Sequence, residues 1–298
     1  MQLTNLGNYY YYPSQQLAKG LKEIIIFAEN TKKRNIPNGS VYIYDENVSY
    51  NPEILKTDVG CGIISFITDE INYDNQSINN ILKAVNEIGT HIGQGNHFLD
   101  FTTGHPTIKD RNTTMIFLHS DFNNKNRLPR NYSEAKDLEK KAIDTRFQYV
   151  EKLSKLLGIS AEFYRDWVHN SVNKENNSLV YRKGAINLQE TEGVGVLALN
   201  PIDGLLLYGG NFSEYNYSAQ HGLERIGSKE ELWNKLEKRV YGMVRGYKIS
   251  SFEPEIIEVK NQTYNKLNNF INNHYLDFSQ IGICSPELVI TTKKSSDF

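Results

Sequence analysis

Apolar residues recur at helical spacing in several stretches. Ser77 precedes Ile78, Ile81, Leu82, Val85 and Ile88, and Gly89 closes the segment, which predicts a capped helix. Ser133 opens a longer one through Leu138, Ala142, Phe147, Val150, Leu153 and Leu157, ending at Gly158. Leu17, Leu21, Ile24, Ile25 and Ala28 predict a helix near the N-terminus. Ser228 and Glu231 form a capping box ahead of Leu232, Leu236, Val240 and Met243, with Gly246 as the stop. Tyr264, Leu267, Phe270 and Ile271 mark a last helix.

Short apolar runs between these predict strands: VYIY from Val41, GIISFI from Gly62, TTMIFL from Thr113, SLVY from Ser178, GVGVLAL from Gly193, GLLLYG from Gly204 and ELVITT from Glu287. The polar stretches 121–131 and 170–178 read as exposed loops. Helices and strands mix without a βαβ rhythm, so the expected fold is α+β, a complex mixed α/β arrangement and not a doubly wound sheet. No repeat or linker composition divides the chain, and a single domain over residues 1–298 is expected.

Composition narrows the function classes. The formal net charge of −2 gives no global field toward nucleic acid or anionic membrane, though a local basic patch remains open. No stretch has the apolar length of a membrane-spanning helix, and the first residues lack the basic start and apolar run of a signal peptide. The two cysteines, Cys61 and Cys284, fit a reducing compartment with free thiols, so a cytoplasmic location is expected.

The chemistry-capable residues lie at element ends. His97, His119 and His169 share one pattern, a strand-like apolar run that ends in histidine plus a small or polar residue. Such ends are where a scaffold presents reactive groups, although an isolated imidazole more often caps an element or bonds a carbonyl, a reading that three such contexts weaken without removing. Asp58 and Cys61 stand three residues apart with Gly60 and Gly62 around the cysteine. A carboxylate, a thiolate and imidazoles make a mixed site for manganese or zinc. A buried cysteine alone is more often a small hydrophobe. His221, followed by Gly222 and Arg225 ahead of the Ser228 cap, reads either as a nucleophile beside an anion site or as an ordinary loop histidine.

Taken in order, DVGCG at Asp58, GNHFLD at Gly95, HS at His119, HN at His169, RKGA at Arg182 and HGLERIGSK at His221 resemble the motifs of the RtcB family of RNA-splicing ligases. The likeness runs from Asp58 to about Thr291. It implies an RtcB-like domain with a metal centre at strand ends. It also implies an enzyme of tRNA splicing or RNA repair that joins 2′,3′-cyclic phosphate or 3′-phosphate RNA ends to 5′-hydroxyl ends through a histidine–GMP intermediate. The resemblance gives Asp58, Cys61, His97, His119 and His169 as ligands of two manganese ions, with zinc as an alternative in isolation. His221 takes GMP from GTP. Asn96, Asp100, Asn170, Gly222 and Arg225 are then nucleotide contacts, and Arg182 and Lys183 RNA contacts. Expected partners are tRNA or damaged RNA ends, GTP and an archease-like activator, without a membrane.

The chain departs from the family's pattern in several places. Asp121, Phe122 and Asn123 replace the G-S-R after the family's H-S. Asp100 replaces a glutamate, Glu224 a glycine and Lys229 an arginine. Thr291 stands where the family has a lysine, with Lys293 two residues on. Two other functions therefore stay open: a homologue that binds RNA ends without ligating them, and a metal-dependent phosphoesterase that opens cyclic phosphates.

Overall fold

The computed structural model describes residues 1–6, 11, 13–27, 36–88, 97–103, 113–121, 128–200, 204–222, 240–244, 247–250 and 279–292. In chain order the elements begin with β1 (Gln2–Asn5), α1 (Gln15–Ala18), β2 (Leu21–Ile26), β3 (Ser40–Asp45), α2 (Pro52–Leu55), β4 (Gly62–Asp69) and α3 (Asn75–Ile88). Next come β5 (Phe98–Thr103), β6 (Thr113–Ser120), α4 (Tyr132–Leu157), β7 (Ala161–Val168), β8 (Asn170–Glu175), β9 (Ser178–Lys183) and β10 (Ala185–Asn187). The remainder are β11 (Gly195–Asn200), β12 (Gly204–Gly209), β13 (Ser218–Gln220), β14 (Val240–Val244), β15 (Tyr247–Ser250) and β16 (Ser279–Thr292). The architecture is α+β, as expected.

A nine-stranded sheet runs β11-β12-β16-β5-β6-β4-β7, with β15 also on β16 and β14 on β15. A five-stranded sheet runs β1-β2-β3-β9-β8. The period-two alternation of strands sorts their side chains into separate cores. Ile63, Met115, Phe117 and Trp167 of the larger sheet pack with Ile25, Val41 and Val180 of the smaller one. Ile64, Phe66, Leu99, Ile116 and Leu118 face the opposite way, onto Ile81 and Val85 of α3 and Val150 and Leu153 of α4. The outer face of the smaller sheet (Ile24, Tyr42, Tyr44, Tyr181) is covered by Leu17, Ile54, Leu55 and Ala135.

Helix α4 ends as its sequence predicts, with Gly158 left-handed at φ 67° and its N–H donated to carbonyls of the last turn. Its start differs by two residues: Asn131 is the cap, its Oδ1 accepting from the Glu134 amide at 2.9 Å, in place of Ser133. At α3 the Ser77 amide donates to Asp74 Oδ1, so Asp74 supplies the side-chain acceptor expected of Ser77.

Four segments correct the sequence reading. The predicted N-terminal helix is a single turn followed by β2. Gly20 at φ 74° turns the chain, and Ile24 and Ile26 face one core while Ile25 faces the other. Burial on both faces gives a continuous apolar run that periodicity cannot separate from a helix. The stretch 170–178 is not an exposed loop. Its residues form a hairpin in which β8 pairs β9, and Asn176 and Asn177 take positive φ (46° and 57°) in the two-residue connection. Val240 and Met243, expected on a helix, lie on β14. Asp121, expected in an exposed loop, is buried. The predicted helices around Leu232 and Tyr264, and His91, His105 and His274, lie outside the described residues. Among the described residues, no helix is long and apolar enough to cross a membrane.

Candidate metal centre

Cys61 sits on the turn that leads into β4. Gly60 adopts φ 80°, and a Cβ there would lie 2.7 Å from Ala142 Cβ and 2.9 Å from the Glu139 Cα, so the turn presses directly on α4. The Cys61 carbonyl accepts from the His169 amide at 2.9 Å, which fixes one donor-bearing backbone against another. His169 occupies the single residue between β7 and β8, where the chain passes from the larger sheet to the smaller. His119 is the penultimate residue of β6 and pairs in register with Ile63 and Phe98. His97 precedes β5; it opens that strand and does not close an apolar run. His221 follows β13, and its carbonyl accepts from the Ala198 amide at 2.7 Å.

These side chains converge. Cys61 Sγ lies 3.4 Å from His97 Nε2 and 3.5 Å from His119 Nε2, and His119 Nε2 lies 3.0 Å from His169 Nε2. Two buried donor groups result, Cys61–His97–His119 and His119–His169–His221, with His119 common to both. Bond lengths of about 2.0–2.3 Å around a tetrahedral ion place donor atoms roughly 3.3–3.7 Å apart. The two sulfur–nitrogen separations match that spacing, and a thiol with imidazoles is the donor set of a borderline-soft divalent cation. The residues therefore fit a metal ion.

His221 stands apart within its group. Its ring stacks on His169 with centroids 3.7 Å apart and planes 14° from parallel. An ion lying in the plane of one ring is displaced from the plane of the other, so the pair is poorly set to share one ion. His221 Nδ1 donates to the Gly184 carbonyl at 2.9 Å. In the neutral ring this leaves the lone pair on Nε2. Gly184 holds that acceptor in place with φ 68°, where an added Cβ would meet the Gly39 nitrogen at 2.7 Å.

Burial sets the protonation states. It pushes the Cys61 thiol far up; the Asp121 carboxylate adds to the rise and the Arg146 guanidinium opposes it. Burial likewise holds His169 well below the ordinary imidazole range, helped by the neighbouring His221 and His119. A bound divalent cation would reverse the thiol's preference, since a coordinating thiol is deprotonated.

The other residues named from sequence fall in varied places. Asp58 Oδ2 is 2.5 Å from Lys183 Nζ, and this carboxylate lies outside both Cys/His groups. Lys183 is buried and also donates to the Leu55 carbonyl at 3.3 Å, so its ammonium is committed internally. Arg182 is fully buried, with both Nη atoms on Glu175 and Nε on Ser218 Oγ; it too is committed internally. Asn170 Oδ1 accepts from the Gly184 amide at 2.7 Å and so braces the loop that holds His221. Asp100 lies buried on β5, its carboxyl pushed well above the usual range by burial, and its Oδ1 has no hydrogen-bond partner among the described residues. The Gly222 carbonyl accepts from Gln220 Nε2 at 2.9 Å. Asn96 and Arg225 lie outside the described residues.

Sequence reasoning missed Arg146, which is fully buried behind Cys61 and His119. It sits mid-helix among charged residues, where nothing distinguishes it from a solvated position. Compared with models of known protein families and with the sequences of curated proteins, the chain matches none.

Proposed function

We propose that this chain is a metal-dependent RNA ligase that joins 3′-phosphate or 2′,3′-cyclic phosphate ends to 5′-hydroxyl ends through a GMP adduct on His221. The observation that carries the reading is the single buried constellation of Cys61, His97, His119 and His169 with His221 stacked at its side. The motif order seen in the sequence supports it, since these five are among the six residues, with Asp58, that the resemblance singles out.

In this reading Cys61, His97, His119 and His169 hold the cations, manganese by family likeness. Bound there, such ions neutralise charge on phosphoryl oxygens. The chain's own residues supply the nucleophile. His221 keeps its proton on Nδ1, tied to the Gly184 carbonyl, and presents the Nε2 lone pair. Nε2 forms a bond to the α-phosphorus of GTP as the bond to pyrophosphate breaks. A 2′,3′-cyclic end is first opened by water to a 3′-phosphate; the GMP then passes from nitrogen to an oxygen of that phosphate, and the 5′-hydroxyl oxygen bonds to its phosphorus, losing its proton to solvent as GMP leaves, so that a phosphodiester remains. Asp58 and Lys183 neutralise each other beside the site. With Arg182 and Lys183 turned inward, contacts to RNA phosphates fall to other residues.

Incubation with α-labelled GTP and manganese tests the reading. An acid-labile, alkali-stable protein–GMP adduct that His221→Ala removes is the expected result. Absence of adduct under saturating conditions overturns it. A second reading, a metal-dependent phosphoesterase, draws on the Cys/His donor set alone, and opening of a cyclic phosphate without GTP would favour it.

A further inference from the structure

The side chain that joins the donor-bearing segments is not itself a donor. Arg146 of α4 is fully buried. Its Nη1 donates to the Gly60 carbonyl at 2.5 Å and to the Ser120 carbonyl at 2.9 Å. Gly60 immediately precedes Cys61, and Ser120 immediately follows His119. Its Nε and Nη2 grip the Asp166 carboxylate at 2.8 to 3.3 Å, three residues before His169. One guanidinium thus ties together the backbones that carry Cys61, His119 and His169. The packing leaves it little freedom: a Cβ at Gly62 would lie 2.8 Å from Arg146 Nη2.

A buried ion pair could exist only to satisfy itself, and replacing such pairs by apolar residues is often neutral for stability. Arg146 does more than pair. The hydrogens left over from Asp166 go to the two carbonyls that flank donors, one in the turn before β4 and one at the end of β6. The planar fork is what allows this, because an ammonium has no fixed geometry with which to span a carboxylate and two carbonyls. Outer residues that orient ligands are part of a metal site's affinity, not only of its scaffold.

We infer that Arg146, held by Asp166, is a positioning residue that sets the spacing of Cys61 against His119 and His169 and thereby the affinity of the centre for its cation. This rests on the metal-centre reading above.

Cobalt(II) titration, followed by the thiolate-to-cobalt charge-transfer band, tests it on wild type, Arg146→Lys, Asp166→Asn and Cys61→Ala. Circular dichroism checks that each variant is folded. Arg146→Lys should weaken cobalt affinity by roughly 10–100-fold and shift the band. Asp166→Asn, which keeps the shape but frees the fork, should do the same to a smaller degree. A folded Arg146→Lys protein with unchanged affinity and band overturns the inference while the metal reading survives. Should that variant not fold, Asp166→Asn decides by the same two readouts. No thiolate band in wild type, or a band that persists in Cys61→Ala, fails the metal reading and removes the inference with it.

Discussion

His169 and His221 stack ring on ring, 3.7 Å apart and 14° from parallel. The geometry divides their labour: His169 Nε2 faces His119 Nε2 at 3.0 Å, while the Gly184 carbonyl takes the Nδ1 proton of His221. On the proposed reading, His221→Ala should abolish covalent nucleotide and leave bound metal per chain unchanged. His169→Ala should lose metal as well. Metal analysis of the two purified variants, read beside GMP labelling, separates these outcomes. Equal metal loss in both would make His221 a ligand.

The two cysteines make an internal control. Both are buried, but Cys61 Sγ lies 3.4 and 3.5 Å from imidazole nitrogens, whereas Cys284 Sγ lies 3.8 Å from Met115 Sδ in the core. Cys61→Ala is expected to weaken metal binding beyond the roughly 10–100-fold typical of outer-residue losses. Cys284→Ala should leave it alone. Competition against a chelator of known affinity measures both.

Asp100 gives a pH signature. Burial raises its carboxyl well above the ordinary value, so the folded chain holds a proton that the unfolded chain releases above about 3.9. In that window the unfolded state binds fewer protons, and this group's effect on stability worsens as pH rises from about 3.9 through the folded value. Asp100→Asn removes the ionisation. The variant should gain stability over wild type at pH 7 and gain little at pH 4. Urea melts at the two pH values check the sign, and an equal shift at both would contradict it.

Arg182 was expected to touch RNA, but its burial against Glu175 makes another forecast. Removing one partner of a buried pair leaves the other uncompensated, so Arg182→Ala should cost about 3–5 kcal/mol of folding stability. A surface phosphate contact would behave differently, lowering the salt slope of RNA binding with little effect on melting.

At α4, Asn131→Ala should cost about 1 kcal/mol, because Asn131 satisfies the Glu134 amide. Ser133→Ala, inside the first turn, should cost a few tenths at most. Thermal melts of the two variants decide between the caps.

The parts of the fold legible in the sequence were those with a clean stop or a short apolar run closed by polar residues. Helix α4 shows its stripe and its Gly158, and β6 shows an unbroken apolar run up to His119. β8 was illegible because all its buried positions except Val172 are polar. Asn170 and Asn173 point inward but find partners in Gly184, Lys136 and Glu190, so burial there leaves no hydrophobic trace. The donors Cys61, His97, His119 and His169 were readable as residue types at element ends. Which of their neighbours would be spent internally was not, since the pairings Lys183–Asp58 and Arg182–Glu175 depend on strands brought together by the sheet.

The passage of the chain through His169 from the larger sheet to the smaller has a consequence for assembly. The donors come from the turn before β4, from β6, from the residue before β5 and from a crossing point whose position depends on both layers. None of these pairs is local, with Cys61 36 and 58 residues from His97 and His119, so the chain must close long loops before any cation finds more than a fragment of its binding site. Metal capture would then come late in folding. An ion already seated would act as a rivet through the seam, lengthening the lifetime of the native chain far more than hastening its formation.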